Sequence, residues 1–263
     1  MEMVPQLLKY DLTGEVTAFS TTRHGGCSKG NYSSFNINEY CGDTLEHTRR
    51  NKEALAHVLG TSAQHIILPH QTHGIESRRI GGEFFTLPEQ VQKMILDGVD
   101  AVMTNEEGVC VGVSTADCIP VLLYDPEHHA VCAIHAGWRG TAARITRKVI
   151  VDMTFHFQTN PRRLKAVIGP GISLDSFEVG QEVYDQFAEA SFDMNTIAKL
   201  YKKWHINLPL CNKLMLLEAG VEEENIHEAD ICTMKNQEDF FSARALGTDS
   251  GRIYTGIMLS QSR

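Results

Sequence analysis

The chain has no apolar run approaching the ~18 residues that span a bilayer, so no membrane segment is expected. Its opening, MEMVPQLLKYDL, is too short and too acidic for a secretory signal. Cys-x-x-Cys, His-Glu-x-x-His and His-x-His are all absent, which removes the compact zinc patterns and the paired histidines of a copper cluster. The cysteines number 7, an odd count at irregular spacing. That favours reduced thiols in a cytoplasmic protein over a disulfide framework. Basic residues are outnumbered, 24 Lys and Arg against 33 Asp and Glu, giving a net charge of −9. Such a balance argues against a nucleic-acid surface. There is no repeat, low-complexity linker or clear boundary. With 263 residues, the chain reads as one large domain or two intimately packed halves.

What is present centres on residues 109–141, VCVGVSTADCIPVLLYDPEHHAVCAIHAGWRGT. Three apolar runs, 109–114, 119–124 and 130–134, are bounded by turn residues and read as buried strands. The first ends in Thr115-Ala116-Asp117-Cys118, and the third delivers His135 into Ala136-Gly137-Trp138-Arg139-Gly140-Thr141. Reactive side chains therefore stand where rigid strands give way to small residues.

Along the chain, residues 16–21 predict a strand, followed by the glycine-rich loop Thr22-Arg23-His24-Gly25-Gly26-Cys27-Ser28-Lys29-Gly30. It reads as a surface turn or as an anion loop. A helix is expected over 45–59, capped by Asp43 or Thr44 and ended by Gly60, with Ala54, Leu55, Val58 and Leu59 inward. Residues 98–104, 164–168, 204–208 and 252–259 read as strands. Helices are expected over 140–157, with Ile145, Val149, Met153 and Phe157 on one face, over 181–190, and from Pro209 at the first helical position to Gly220. The stretches 81–97 and 191–203 carry no decisive pattern.

Of the 12 histidines, His47, His128, His129, His156 and His205 read as surface residues. His70 or His73, with Cys118 and His135, end apolar runs beside glycine or proline. Two imidazoles and a thiolate suit zinc or copper and leave a fourth position open. The same residues also read as packed core groups, or as a Cys–His nucleophile pair. Asp117 is a candidate orienting carboxylate or general base, and Arg139 a candidate holder of an anionic group.

Several phrases together resemble one family. They are Thr115 to Leu123 (TADCIPVLL), Ile134 to Thr141 (IHAGWRGT), Ser20 to Gly26 (STTRHGG), His70 to Gly74 (HQTHG), Val99 to Thr104 (VDAVMT), Ile168 to Ile172 (IGPGI), Phe177-Glu178-Val179 and Arg252 to Gly256 (RIYTG). In this order they resemble the YfiH-like family, also called the laccase-domain or multi-copper polyphenol oxidoreductase family, over essentially the whole chain. The resemblance implies residues 1–263 as one α+β domain of layered mixed sheets flanked by helices, similar to a domain of a bacterial cytotoxic deamidase. It implies a zinc-dependent purine nucleoside phosphorylase with adenosine deaminase activity. The metal ligands it implies are His73, Cys118 and His135, the histidine before the glycine being the ligand. Catalytic roles are expected for Cys118, His135, Asp117 and Arg139, and substrate contacts for Arg23, Arg139 and His70. Zinc is expected over copper, with purine nucleosides and phosphate as partners and a monomer or homodimer as the assembly. A Cys–His hydrolase or amidase, a polyphenol oxidase and a non-catalytic zinc-binding protein are the alternatives.

Overall fold

The computed structural model describes residues 3–261. Two large sheets lie face to face. One has the order Leu7–Tyr10, Val16–Thr21, Ile253–Leu259, Cys110–Thr115, Ile66–Ile67. The other runs Ile226–Glu228, Lys165–Ile168, Ile119–Asp125, Ala130–Ala136, Ala101–Thr104, Ser77–Arg79. Both are mixed: hairpin neighbours run antiparallel, and parallel pairs sit at their edges. A small sheet, Glu178–Val179, Trp204–Ile206 and Ala198–Leu200, flanks them.

Alternation along the strands explains the layering. In the second sheet Leu122, Tyr124, Val131 and Ala133 face Val111, Val113 and Ile257 of the first, forming the inter-sheet core. Their neighbours Val121, Leu123, Cys132 and Ile134 face the other way, onto Ile145, Val149 and Met153 of helix Ile145–Phe157 and Met215 of helix Leu208–Glu218. The outer side of the first sheet presents Phe19, Cys110 and Tyr254 to Leu55 and Ala56 of helix Leu45–Leu59. The result is helix, sheet, sheet, helix: the α+β layering expected. Strands buried on both faces lose the polar alternation of a surface strand, so the central runs are continuously apolar.

Local details differ from expectation for identifiable reasons. Thr44 does cap helix Leu45–Leu59, accepting from the His47 N–H, and Gly60 closes it at φ 69°. Its inward face, however, is Thr48, Asn51, Leu55 and Ala56, while Val58 is exposed. Asn51 belongs inside because its side chain accepts from the Cys27 N–H and donates to Ser28 Oγ and Asn36 O. The helix expected over 140–157 is two, Trp138–Ala142 and Ile145–Phe157, broken at Arg144 with φ 59°. The Arg144 guanidinium there reaches Ala190 O, Ser191 O and Glu218. Pro209 occupies the second helical position, because Asn207 caps the helix through the Leu210 N–H. His205 is buried, held to Leu174 O. The unpatterned stretches hold helix Glu89–Ile95 and helix Met194–Ile197.

Candidate metal and active site

The site forms where the chain crosses between the two large sheets. Residues 116–118 link strand Cys110–Thr115 of one to strand Ile119–Asp125 of the other. Cys118 stands at that crossing. Its neighbour Asp117 adopts φ 86° and accepts the Ile172 N–H on its carbonyl at 2.8 Å. His135 comes from the adjacent strand, opposite Pro120, and is buried. His73 comes from the loop after strand Ile66–Ile67 and is exposed, with φ 61°. One donor atom from each of His73, Cys118 and His135 lies within 4.8 Å of the others.

Asp100 holds two of these residues together. It is fully buried at the start of strand Ala101–Thr104. Its Oδ1 takes His135 Nδ1 at 2.7 Å and the His73 N–H at 3.0 Å. Its Oδ2 accepts the Gly74 N–H at 2.7 Å and the Thr72 N–H at 3.3 Å. Its carbonyl accepts the His135 N–H at 2.7 Å. Engaging Nδ1 leaves His135 Nε2 as the ring nitrogen free for a ligand. Gly137 supplies room: a Cβ there would stand 2.8 Å from His73 Cδ2 and 3.2 Å from Cys118 Sγ.

The charges are coupled. Burial raises the Cys118 thiol, but the His135 imidazolium and hydrogen bonds from His135 and His73 outweigh it and bring the pKa down to about 6. Burial likewise disfavours charged His135, yet the Cys118 thiolate and Asp100 carry it up to about 9. Burial works against the Asp100 carboxylate too, and the hydrogen bond from His135 with the amides of Gly74 and Thr72 holds it below the usual range. Metal-free, the pair is thus thiolate and imidazolium near neutral pH.

This donor set fits zinc. Two imidazole nitrogens and one thiolate are its ordinary ligands, three protein ligands leave a fourth position, and a carboxylate behind one histidine is the usual outer support. His73 is the exposed member of the three, Cys118 is half-buried and His135 buried. Among the described residues this is the one group of three or more His, Cys, Asp or Glu placed to hold a metal ion. The residues therefore offer a single metal position, not a copper cluster.

Other expected site residues fall elsewhere. His70 is not in the group; its Nδ1 meets Asp97 at 2.6 Å and its ring stacks on Tyr40 at 4.4 Å. Asp117 does not orient a ligand histidine. Its oxygens accept Thr233 Oγ1 and the Arg244 N–H, both at 2.7 Å, because the φ 86° turn directs it toward that loop. The orienting role belongs to Asp100, which the sequence reading left without a role although it lies inside the phrase Val99-Asp100-Ala101. The available signal was a carboxylate opening an otherwise apolar strand. Arg23 donates to Ser33 O and Gln237 O at 2.9 and 2.8 Å and lies over Phe241, so it clamps two loops. Arg139 is exposed, stacked 4.3 Å over Trp138, and in no ion pair among the described residues. Its fork is free, two residues beyond Gly137.

The family model described as multi-copper polyphenol oxidoreductase laccase matches residues 17–260. A purine nucleoside phosphorylase of Bacteroides thetaiotaomicron is 45% identical over 247 residues, covering 93% of this chain and 92% of the relative. An adenosine deaminase, RL5, from an unknown prokaryotic organism is 40% identical over 245 residues, covering 92% and 93%. The crystal structure of a Bacillus licheniformis hypothetical protein, YfiH, superposes with a TM-score of 0.89 at 27% identity, covering 98% of this chain and 97% of that one. With residues 17–260 matched by the family model and close relatives covering nearly the whole length, the chain belongs to the multi-copper polyphenol oxidoreductase laccase family.

Proposed function

We propose that the protein is a zinc-dependent purine nucleoside phosphorylase that also deaminates adenosine. The observation that carries this is the single three-ligand group His73, Cys118 and His135, backed by Asp100. Relatives named for nucleoside phosphorolysis and adenosine deamination support it. So does the donor count, since reduction of dioxygen by a laccase needs a copper cluster.

Bound to the three ligands, zinc supplies a Lewis acid with one open position. Asp100 keeps His135 Nδ1 protonated and Nε2 aimed at the ligand group. Arg139 presents its fork to phosphate oxygens, which matches guanidinium geometry and places the nucleophile. Trp138, beneath it, fixes the guanidinium plane. Cleavage puts positive character on the ribose and negative charge on the departing base, so fixed charges at both ends lower the barrier. The chain's contribution is mainly placement and electrostatics.

A second reading has its own observation. The thiolate–imidazolium state of Cys118 and His135 is what a cysteine hydrolase uses. Incubation of adenosine and inosine with zinc-loaded protein, with and without phosphate, separates the two by mass spectrometry. Phosphate-dependent base release, with conversion of adenosine to inosine, supports the proposal. Base release independent of phosphate, or turnover that survives chelation but not thiol alkylation, refutes it.

A further inference from the structure

A broad pocket of about 990 Å³ lies away from the ligand group and has no part in the mechanism above. Helices Leu45–Leu59 and Glu89–Ile95 border it. Ile66 and Ile67 at its base pair with Cys110 and Val111, the beginning of the strand whose other end leads to Cys118. That strand alone separates the two places by on the order of 15 Å.

Leu68, Phe84, Phe85, Leu87 and Leu96 form an apolar side of the wall. Most of the charge stands at the mouth, exposed to water. The two cations there are already paired, Arg49 with Glu53 at 3.7 Å and Lys93 with Glu89 at 2.9 Å. Lys52 differs. It is the one charged lining residue that is not exposed, and it makes no hydrogen bond or ion pair with any described residue. Burial holds its ammonium below the ordinary lysine range, and exposed Glu39 offsets part of that. A partly buried cation without an acceptor is less favourable than one in water, and an incoming anion relieves it.

We propose that this pocket binds a free amphipathic organic monoanion, with its carboxylate on Lys52 and its apolar body against Leu68, Phe85 and Leu87. The volume lies at the upper end of ordinary small-molecule sites, about 300–1,000 Å³. Specificity for a single charge follows from the count. One unpaired cation meets one head group, while exposed Glu39 at the mouth, the one lining glutamate in no ion pair among the described residues, disfavours a polyanion such as a nucleotide. The apolar side of the wall excludes a small hydrophilic acid, which gains nothing from it. This site is independent of the nucleoside reading.

The test is calorimetry of the whole protein with dodecanoate below its micellar concentration, beside dodecan-1-ol and vesicles containing anionic lipid. Saturable binding of one dodecanoate per chain is expected, with the alcohol at least about tenfold weaker. Lys52→Met is expected to lose at least about tenfold for dodecanoate, and Lys52→Arg to stay within about threefold, at matched melting temperature. The carboxylate–alcohol comparison needs no variant, so the proposal stays testable if Lys52→Met does not fold. Absence of saturable binding, equal affinity for acid and alcohol, or full affinity in folded Lys52→Met overturns it. Binding to anionic vesicles without binding of monomeric dodecanoate also overturns it, by placing a membrane head group at Lys52.

Discussion

Replacing Asp100 with asparagine keeps the shape of the side chain and removes one acceptor oxygen. Four donors converge on the native carboxylate, two on each oxygen: His135 Nδ1 and the His73 N–H on one, the Gly74 and Thr72 N–H groups on the other. Whichever way the amide is turned, its NH₂ faces two donors. A hydrogen bond to a charged group contributes about 1.5–3 kcal/mol, and a buried donor left without a partner costs a similar amount. With the 3.3 Å contact counted as weak, the loss is about 3–5 kcal/mol. A domain of ordinary stability, about 5–15 kcal/mol, still folds. Metal binding is hit separately. If the NH₂ faces His135, the ring must present an unprotonated Nδ1, and its proton moves to Nε2, the nitrogen the metal needs. Zinc affinity is expected to fall about 10–100-fold, the usual penalty for losing such a partner. Urea unfolding of the metal-free variant and competition against a chromophoric chelator measure the two effects. A stability loss below about 1 kcal/mol with zinc affinity within about twofold of wild type would refute the role given to Asp100.

Zinc affinity should rise about tenfold per pH unit between roughly pH 6 and 9, because binding must expel the proton on His135, whose pKa is about 9. Below about 6, where Cys118 also takes a proton, the dependence should steepen, and above about 9 it should flatten; chelator competition across pH 5.5–9.5 reads the slope, and a flat profile contradicts the coupled pair. Gly137→Ala fits its backbone, φ −66° and ψ 167°, but its Cβ crowds His73 and Cys118. Zinc affinity should drop roughly tenfold with little change in melting temperature, and unchanged affinity would mean that the ligand group has slack. Arg139→Lys should leave stability unaltered, since the side chain is exposed and unpaired, and raise the Michaelis constant for phosphate about tenfold through loss of the fork.

The central strands were legible because burial on both faces leaves continuous apolar runs of strand length. Cys118 and His135 stood out because each ends such a run. The choice of His73 over His70 was not legible from spacing. It depends on the left-handed turn at His73 and on the amides of residues 72–74 closing around Asp100, a contact 26–28 residues away in sequence. The inner face of helix Leu45–Leu59 was legible at Leu55 and Leu59 but not at Asn51, for a related reason. A buried asparagine serving distant backbone groups looks polar to any periodicity argument. Asp117 misled through adjacency, since a single positive φ turned its carboxylate away from the cysteine beside it.

In the proposed reaction, phosphate cleaves a purine nucleoside at the His73–Cys118–His135 group. This is tested most directly by the stoichiometry of ribose 1-phosphate to hypoxanthine when inosine and phosphate are given to zinc-loaded wild type and to Cys118→Ser. The wild type is expected to give one ribose 1-phosphate per hypoxanthine, and the variant to lose both products together with zinc. Free ribose in place of ribose 1-phosphate, or undiminished phosphorolysis by zinc-free Cys118→Ser, would contradict it.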